Sequence, residues 1–181
     1  EFGESVNQRM ESEEYLNLVR QAFRVYDKAD TDAKRAHVCK LIGNAAATKL
    51  TQDDVIRLFL EWVERYNEVH FTVLREVYKN PGSTRADIWD AIYGENVRED
   101  SAAADLFRLV IDELSQGRII RQRREKDALG NFLKSPRKKV TKGNASPFLK
   151  TAFDDEKPYD ATSLGEQFLH YVFEDVVPQL R

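Results

Sequence analysis

Apolar residues along this chain recur at the three- and four-residue spacing of helices, broken by short polar turns, and two short stretches read as strands. Ser12 to Ala29 reads as a helix with Leu16, Val19, Phe23 and Tyr26 on its apolar face. Glu13 and Glu14 fall in its first turn, where the helix dipole favours anions. Asp30 to Lys49 reads as a second helix, capped by Asp30 or Thr31, with Val38, Leu41, Ile42, Ala45 and Ala46 as its stripe. Its small residues, Ala45 to Ala47, permit close approach of another helix. Thr51 and Asp54 have the spacing of a capping box, and helical period then holds from Val55 to Tyr78. One helix of that length would run roughly 40 Å, so a break near Asn67 is expected, giving two. Asn80-Pro81-Gly82 stops the run.

Ser83 to Asp87 then offers a cap and a helix start, with Ile88, Trp89, Ile92 and Tyr93 on the buried side. After a polar turn from Gly94 to Asp100 comes the stretch that organises the rest, Ser101 to Glu125. It reads as an amphipathic helix bearing Leu106, Leu109, Val110 and Leu114, with Gly117 in the place of a left-handed cap. Ile119-Ile120 then opens a short, very basic strand. From Lys126 to Pro158 the periodicity is lost. Gly130-Asn131 has the form of a hairpin tip, while Pro136, Gly143 and Pro147 among lysines suggest a long loop. Tyr159 to Thr162 reads as the second strand, and Ser163 to Val177 as a closing helix with Leu164, Phe168, Tyr171, Val172 and Val176 inward.

Two of these patterns carry a resemblance. Leu109 to Ile120, LVIDELSQGRII, resembles the end of the third helix and the start of the wing in bacterial winged-helix proteins. Tyr159 to Phe168, YDATSLGEQF, resembles the strand returning from the wing, which in MarR-like and PadR-like regulators often reads Tyr-x-Leu-Thr-x-x-Gly. Ala161 stands where Leu is usual. The similarity covers Val69 to Val177, and the preceding helices resemble those of bacterial proteins that place several helices before a C-terminal winged helix. It implies a mainly α fold with a small β-wing: a helical region over 1–66, then a winged-helix-like domain over 67–177 with a long basic wing at about 118–161.

Charge sharpens the picture. The formal net charge is -3, yet residues 118 to 150 hold eleven Lys or Arg against Glu125 and Asp127. That segment carries +9, so the remainder carries -12. Clustered cations of this kind bind a phosphate backbone by releasing its counterions. Arg118, Arg121, Arg123, Arg124, Lys126, Lys134, Arg137, Lys138 and Lys139, with Arg108 on the third helix, are the expected nucleic-acid contacts. The third helix itself argues against base reading. It is entered through Glu95, Glu99 and Asp100 and displays Asp105, Asp112 and Glu113, with Arg108 its single cation.

Other chemistry finds little footing. One cysteine, Cys39, rules out an internal disulfide and a cysteine-based zinc site, and it sits mid-helix among expected core residues. His37, His70 and His170 are solitary, and His37 with Cys39, two apart, point to different sides of a helix. No Gly-rich phosphate loop or hydrolase motif is present, and Trp62 and Trp89 fall in apolar stripes. No catalytic residue, metal or cofactor is expected. No run of eighteen apolar residues appears, so membrane partners are not expected and a cytoplasmic protein is. The chain opens at Glu1 with its one methionine at Met10, as an added leader or a piece of a longer protein would. The expected function is non-enzymatic contact with double-stranded DNA. The alternatives are a protein-contact or homodimerisation module acting through the N-terminal helices, or a regulatory domain of a longer protein.

Overall fold

The computed structural model of the protein describes residues 2–48, 51–94, 100–123 and 157–173. Among these residues the chain is mainly helical, with eight helices and one two-stranded antiparallel sheet. It divides into two compact units, 1–72 with 163–181, and 73–162.

The first unit contains α1 (Phe2–Met10), α2 (Glu13–Lys28), α3 (Asp32–Ala47), α4 (Asp53–Arg65), the start of α5 (Glu68–Lys79) and α8 (Ser163–Phe173). The Ser12 hydroxyl caps α2 by accepting from the Tyr15 amide, and Thr31 caps α3 in the same way from Lys34. The side buried by α2 is not the expected one. Tyr15, Leu18, Ala22 and Val25 lie in the core, while Leu16, Phe23 and Tyr26 are exposed and Val19 is half-buried. Both sets keep helical spacing, and they differ by one residue, about 100° round the helix.

The core of this unit is aromatic. Phe59 and Trp62 of α4 meet Phe168 of α8 at 5.3 and 5.1 Å between ring centroids, and Tyr171 lies 5.8 Å from Phe59. α3 packs against α8, and Ala45 and Ala46 of α3 are buried. Asn44, also buried, donates its amide to the carbonyls of Tyr171 at 3.0 Å and His170 at 3.3 Å. Lys40 Nζ donates to the Phe173 carbonyl at 3.3 Å. Both donors thus reach backbone carbonyls near the C-terminal end of the described part of α8. At the other end, the Arg9–Asp53 ion pair fastens α1 to the first turn of α4.

Two sequence expectations fail here. The Thr51–Asp54 capping box does not form: Gln52 occupies the N-cap of α4 without a side-chain hydrogen bond. Cys39 is exposed, on the solvent side of α3, and is not a core residue. The break near Asn67 does occur, with α4 ending at Arg65 and α5 starting at Glu68. Trp62 and Trp89 are both buried, as their stripes required.

The second unit contains the end of α5, α6 (Arg85–Tyr93), α7 (Ala102–Gln116), β1 (Ile120–Gln122) and β2 (Tyr159–Ala161). After α5 the chain turns at Asn80 to Ser83, where the Ser83 amide donates to the Asn80 carbonyl at 3.2 Å and Gly82 takes a φ of 93°. That combination, with Pro81 before Gly82, is the chemistry of a type II turn. Thr84 and Asp87 form a reciprocal capping box on α6, and its hydrogen bonds hold the Asp87 carboxyl below the usual carboxylate range. Ile88, Trp89, Phe107, Val110, Ile111, Leu114, Ile119 and Ile120 are buried in this unit. Trp89 meets the Phe107 ring edge-on at 5.4 Å.

Candidate nucleic-acid interface

Helix α7 hands the chain to β1 through a Schellman motif. The Ile119 amide donates to the Leu114 carbonyl at 3.0 Å, and the Arg118 amide to the Ser115 carbonyl at 3.1 Å. Leu114 and Ile119, both fully buried, are the apolar residues this motif brings together. The left-handed position, however, is not Gly117, which is right-handed at φ -66°. It is Arg118, at φ 60°, the only non-glycine residue of positive φ among those described.

β1 pairs antiparallel with β2 in the register Ile120↔Ala161, Arg121↔Asp160 and Gln122↔Tyr159. Tyr159 also pairs with Ser83, through the Gly82 amide to the Tyr159 carbonyl and the Tyr159 amide to the Ser83 carbonyl, each at 2.9 Å. The turn after α5 thus lies on the outer edge of β2. At the base of the ladder, the Thr162 hydroxyl donates to the Arg118 carbonyl at 2.6 Å.

The arginines here divide into two kinds. Arg123 is committed: its Nε and Nη2 donate to the two carboxylate oxygens of Asp160, each at 2.7 Å, which pushes the arginine pKa up. Its guanidinium also lies on Gly82, so that a Cβ there would meet Nη1 at 2.8 Å. Arg85 is paired with Asp112 at 3.0 Å, and Arg108 with Asp105 at 3.1 Å. Arg118 and Arg121 are exposed, and among the described residues neither side chain has an ion-pair partner. Arg124, Lys126, Lys134, Arg137, Lys138 and Lys139, with the Gly130-Asn131 turn, lie outside the described residues.

The exposed face of α7 is not basic. Leu106 and Leu109 are 45% and 54% exposed, beside Asp105 and Asp112. Their helical spacing with Val110 and Leu114 suggested a shared buried stripe, but only Val110 and Leu114 are buried. The pairing of Arg123 with Asp160 was not foreseen from the sequence. A cross-strand signal would have pointed to Arg121, which the register sets opposite Asp160, and not to Arg123, which lies just beyond β1.

Arg118 is strained by its backbone, because a left-handed L-residue costs roughly 1–2 kcal/mol, of which glycine's extra chain entropy would return about half. Arg118→Gly is therefore expected to raise stability by roughly 0.5–1 kcal/mol. The midpoint of urea unfolding checks this, and a lower midpoint would mean that the arginine itself stabilises the end of α7.

Among the described residues, no group of three His, Cys, Asp or Glu side chains could hold a metal ion, and no helix is long and apolar enough to cross a membrane. Comparison with protein-family models, with curated proteins and with solved structures finds no match.

Proposed function

We propose that the second unit is a winged-helix module that contacts the phosphate backbone of double-stranded DNA through the root of its wing, with little preference for base sequence. Support for the winged helix comes from the element order: helix, bridge residue, helix, helix, strand, strand, with Ser83 and β1 both pairing to β2. The observation that carries the DNA reading is that Arg118 and Arg121 have no ion-pair partner among the described residues, where the neighbouring arginines are matched by carboxylates. Both stand at the start of the 118–150 segment that carries +9. The acidic flank of α7 opposes insertion of that helix into a groove, since carboxylates and phosphates repel. Backbone contact without base readout fits both facts.

Fluorescence anisotropy with a mixed-sequence labelled duplex tests the proposal. Affinity should fall steeply between roughly 50 and 200 mM salt, by about a thousandfold if some six phosphates are contacted. Arg118→Gly with Arg121→Gln should weaken binding of every duplex alike and lower the log–log salt slope by about two. No binding at the lower salt would overturn it. A second reading, a protein contact made by the same unit, is favoured by one observation, the exposure of Leu106 and Leu109 on α7.

A further inference from the structure

One carboxylate of the second unit has two arginines to choose from. The register of the sheet sets Asp160 directly opposite Arg121, and residues so paired share a face with Cβ atoms roughly 5 Å apart. Arg123 stands two residues further on, just past the end of β1, and its amide still donates to the Pro158 carbonyl at 2.7 Å. The pleat therefore returns it to the face of Arg121. Asp160 holds the diagonal arginine and not the opposite one. Its two carboxylate oxygens accept from Nε and Nη2 of Arg123, while Arg121 has no ion-pair partner among the described residues.

Gly82 makes that choice possible. It lies on the outer edge of β2, where its amide donates to the Tyr159 carbonyl at 2.9 Å. The Arg123 guanidinium reaches across β2 to rest on it, in space that a Cβ at position 82 would take. Seated there, the fork fills both oxygens of Asp160 at once. Without Arg123, a carboxylate on a side chain only 24% exposed would lose its cation, and Arg121 is the residue opposite it.

We propose that Arg123 is a positioning residue for the phosphate contact made by Arg121. By occupying Asp160 it leaves the Arg121 guanidinium to phosphodiester oxygens and neutralises a charge that would repel them. The proposal rests on the DNA reading above and gives Arg123 no phosphate of its own.

Two measurements on the full chain test it. Phenylglyoxal modifies guanidinium groups outside ion pairs, and mass mapping of the modified peptides reads Arg121 with no DNA present. Arg121 should react roughly two- to fivefold more slowly in Arg123→Gln than in the native chain, the strength of an exposed ion pair. Adding Asp160→Asn should restore its reactivity. Anisotropy with the mixed-sequence duplex at roughly 50 mM salt reads the contact itself. Arg123→Gln should weaken binding by the same two- to fivefold factor, and Asp160→Asn should restore it. Adding Asp90→Asn instead, on an exposed position of α6, gives the same net charge and should restore nothing. Equal Arg121 reactivity in the native chain and Arg123→Gln would overturn the proposal, whether or not DNA is bound. So would weak binding that persists in Arg123→Gln with Asp160→Asn, since Arg123 would then be a phosphate contact itself. The expected reactivities in a native chain that binds no duplex would overturn the DNA reading and the positioning role with it, leaving only the exchange of partners at Asp160.

Discussion

Replacing Phe168 with alanine is expected to destabilise the first unit by about 3–5 kcal/mol. The ring is fully buried and lies within 6.2 Å of three other aromatic centroids, those of Phe59, Trp62 and Phe71. It joins α8 to both α4 and α5, so its loss opens a cavity bordered by rigid rings that relax poorly into the space. Each unit holds one tryptophan, which supplies a separate reporter. In a Trp89→Phe background, Trp62 fluorescence through a urea titration reads the first unit. A loss below about 1 kcal/mol would mean that α8 is held elsewhere, with Asn44 the next residue to examine.

Gly82→Ala should cost the second unit about 2 kcal/mol. Most of this is the left-handed backbone, worth roughly 1–2 kcal/mol for a residue with a Cβ. The remainder comes from Arg123, whose Nη1 would lie 2.8 Å from the new Cβ and would have to draw away from Asp160. That ion pair is exposed on the arginine side, so its own contribution is small. Trp89 fluorescence in a Trp62→Phe background measures the loss. The same substitution made on Arg123→Ala separates the two causes: a smaller cost there assigns the difference to the crowded guanidinium, and an unchanged cost leaves the backbone alone responsible.

What could be read from the sequence follows from which signals are local. Ser12, Thr31, Thr84 and Ser101 all cap the helices they precede, because a cap needs only its own hydroxyl and an amide three residues on. Both strands and the break before α5 were legible for the same reason. The buried side of α2 was not, since Leu16, Val19, Phe23 and Tyr26 keep the same period as the stripe that is in fact buried. Periodicity gives the existence of a face and leaves its neighbour undetermined. Leu106 and Leu109 illustrate the same limit, as does Cys39 on the open side of α3. α1 was missed, as its apolar positions are few and part of its hold on the unit is an ion pair between residues distant in sequence, Arg9 and Asp53.

At the candidate interface, the basic segment was plain from composition, but composition cannot tell a spare cation from a spent one. Arg121 and Arg123 are two residues apart on one short stretch, yet Arg123 is clasped by Asp160 from a strand 37 residues away and Arg121 is not. Gly117 invited the left-handed assignment because glycine is the usual occupant. The hydrogen bonds place that conformation one residue later, on Arg118.

The division of the chain bears on the order of events during synthesis. The first unit is discontinuous: α8 returns to it only after the whole second unit has been made. Until Phe168, Tyr171 and Val172 leave the ribosome, the aromatic faces of Phe59 and Trp62 have no partner from α8, and contacts so distant in sequence form slowly. The second unit, contiguous over 73–162, can close earlier. Helices α2, α3 and α4 can meet one another as they emerge. The core of the first unit is complete only once α8 has followed the whole second unit, which departs from a simple N-terminal-first order. A stop codon anywhere before α8 would leave those helices as a target for chaperones and proteases rather than as a smaller working protein.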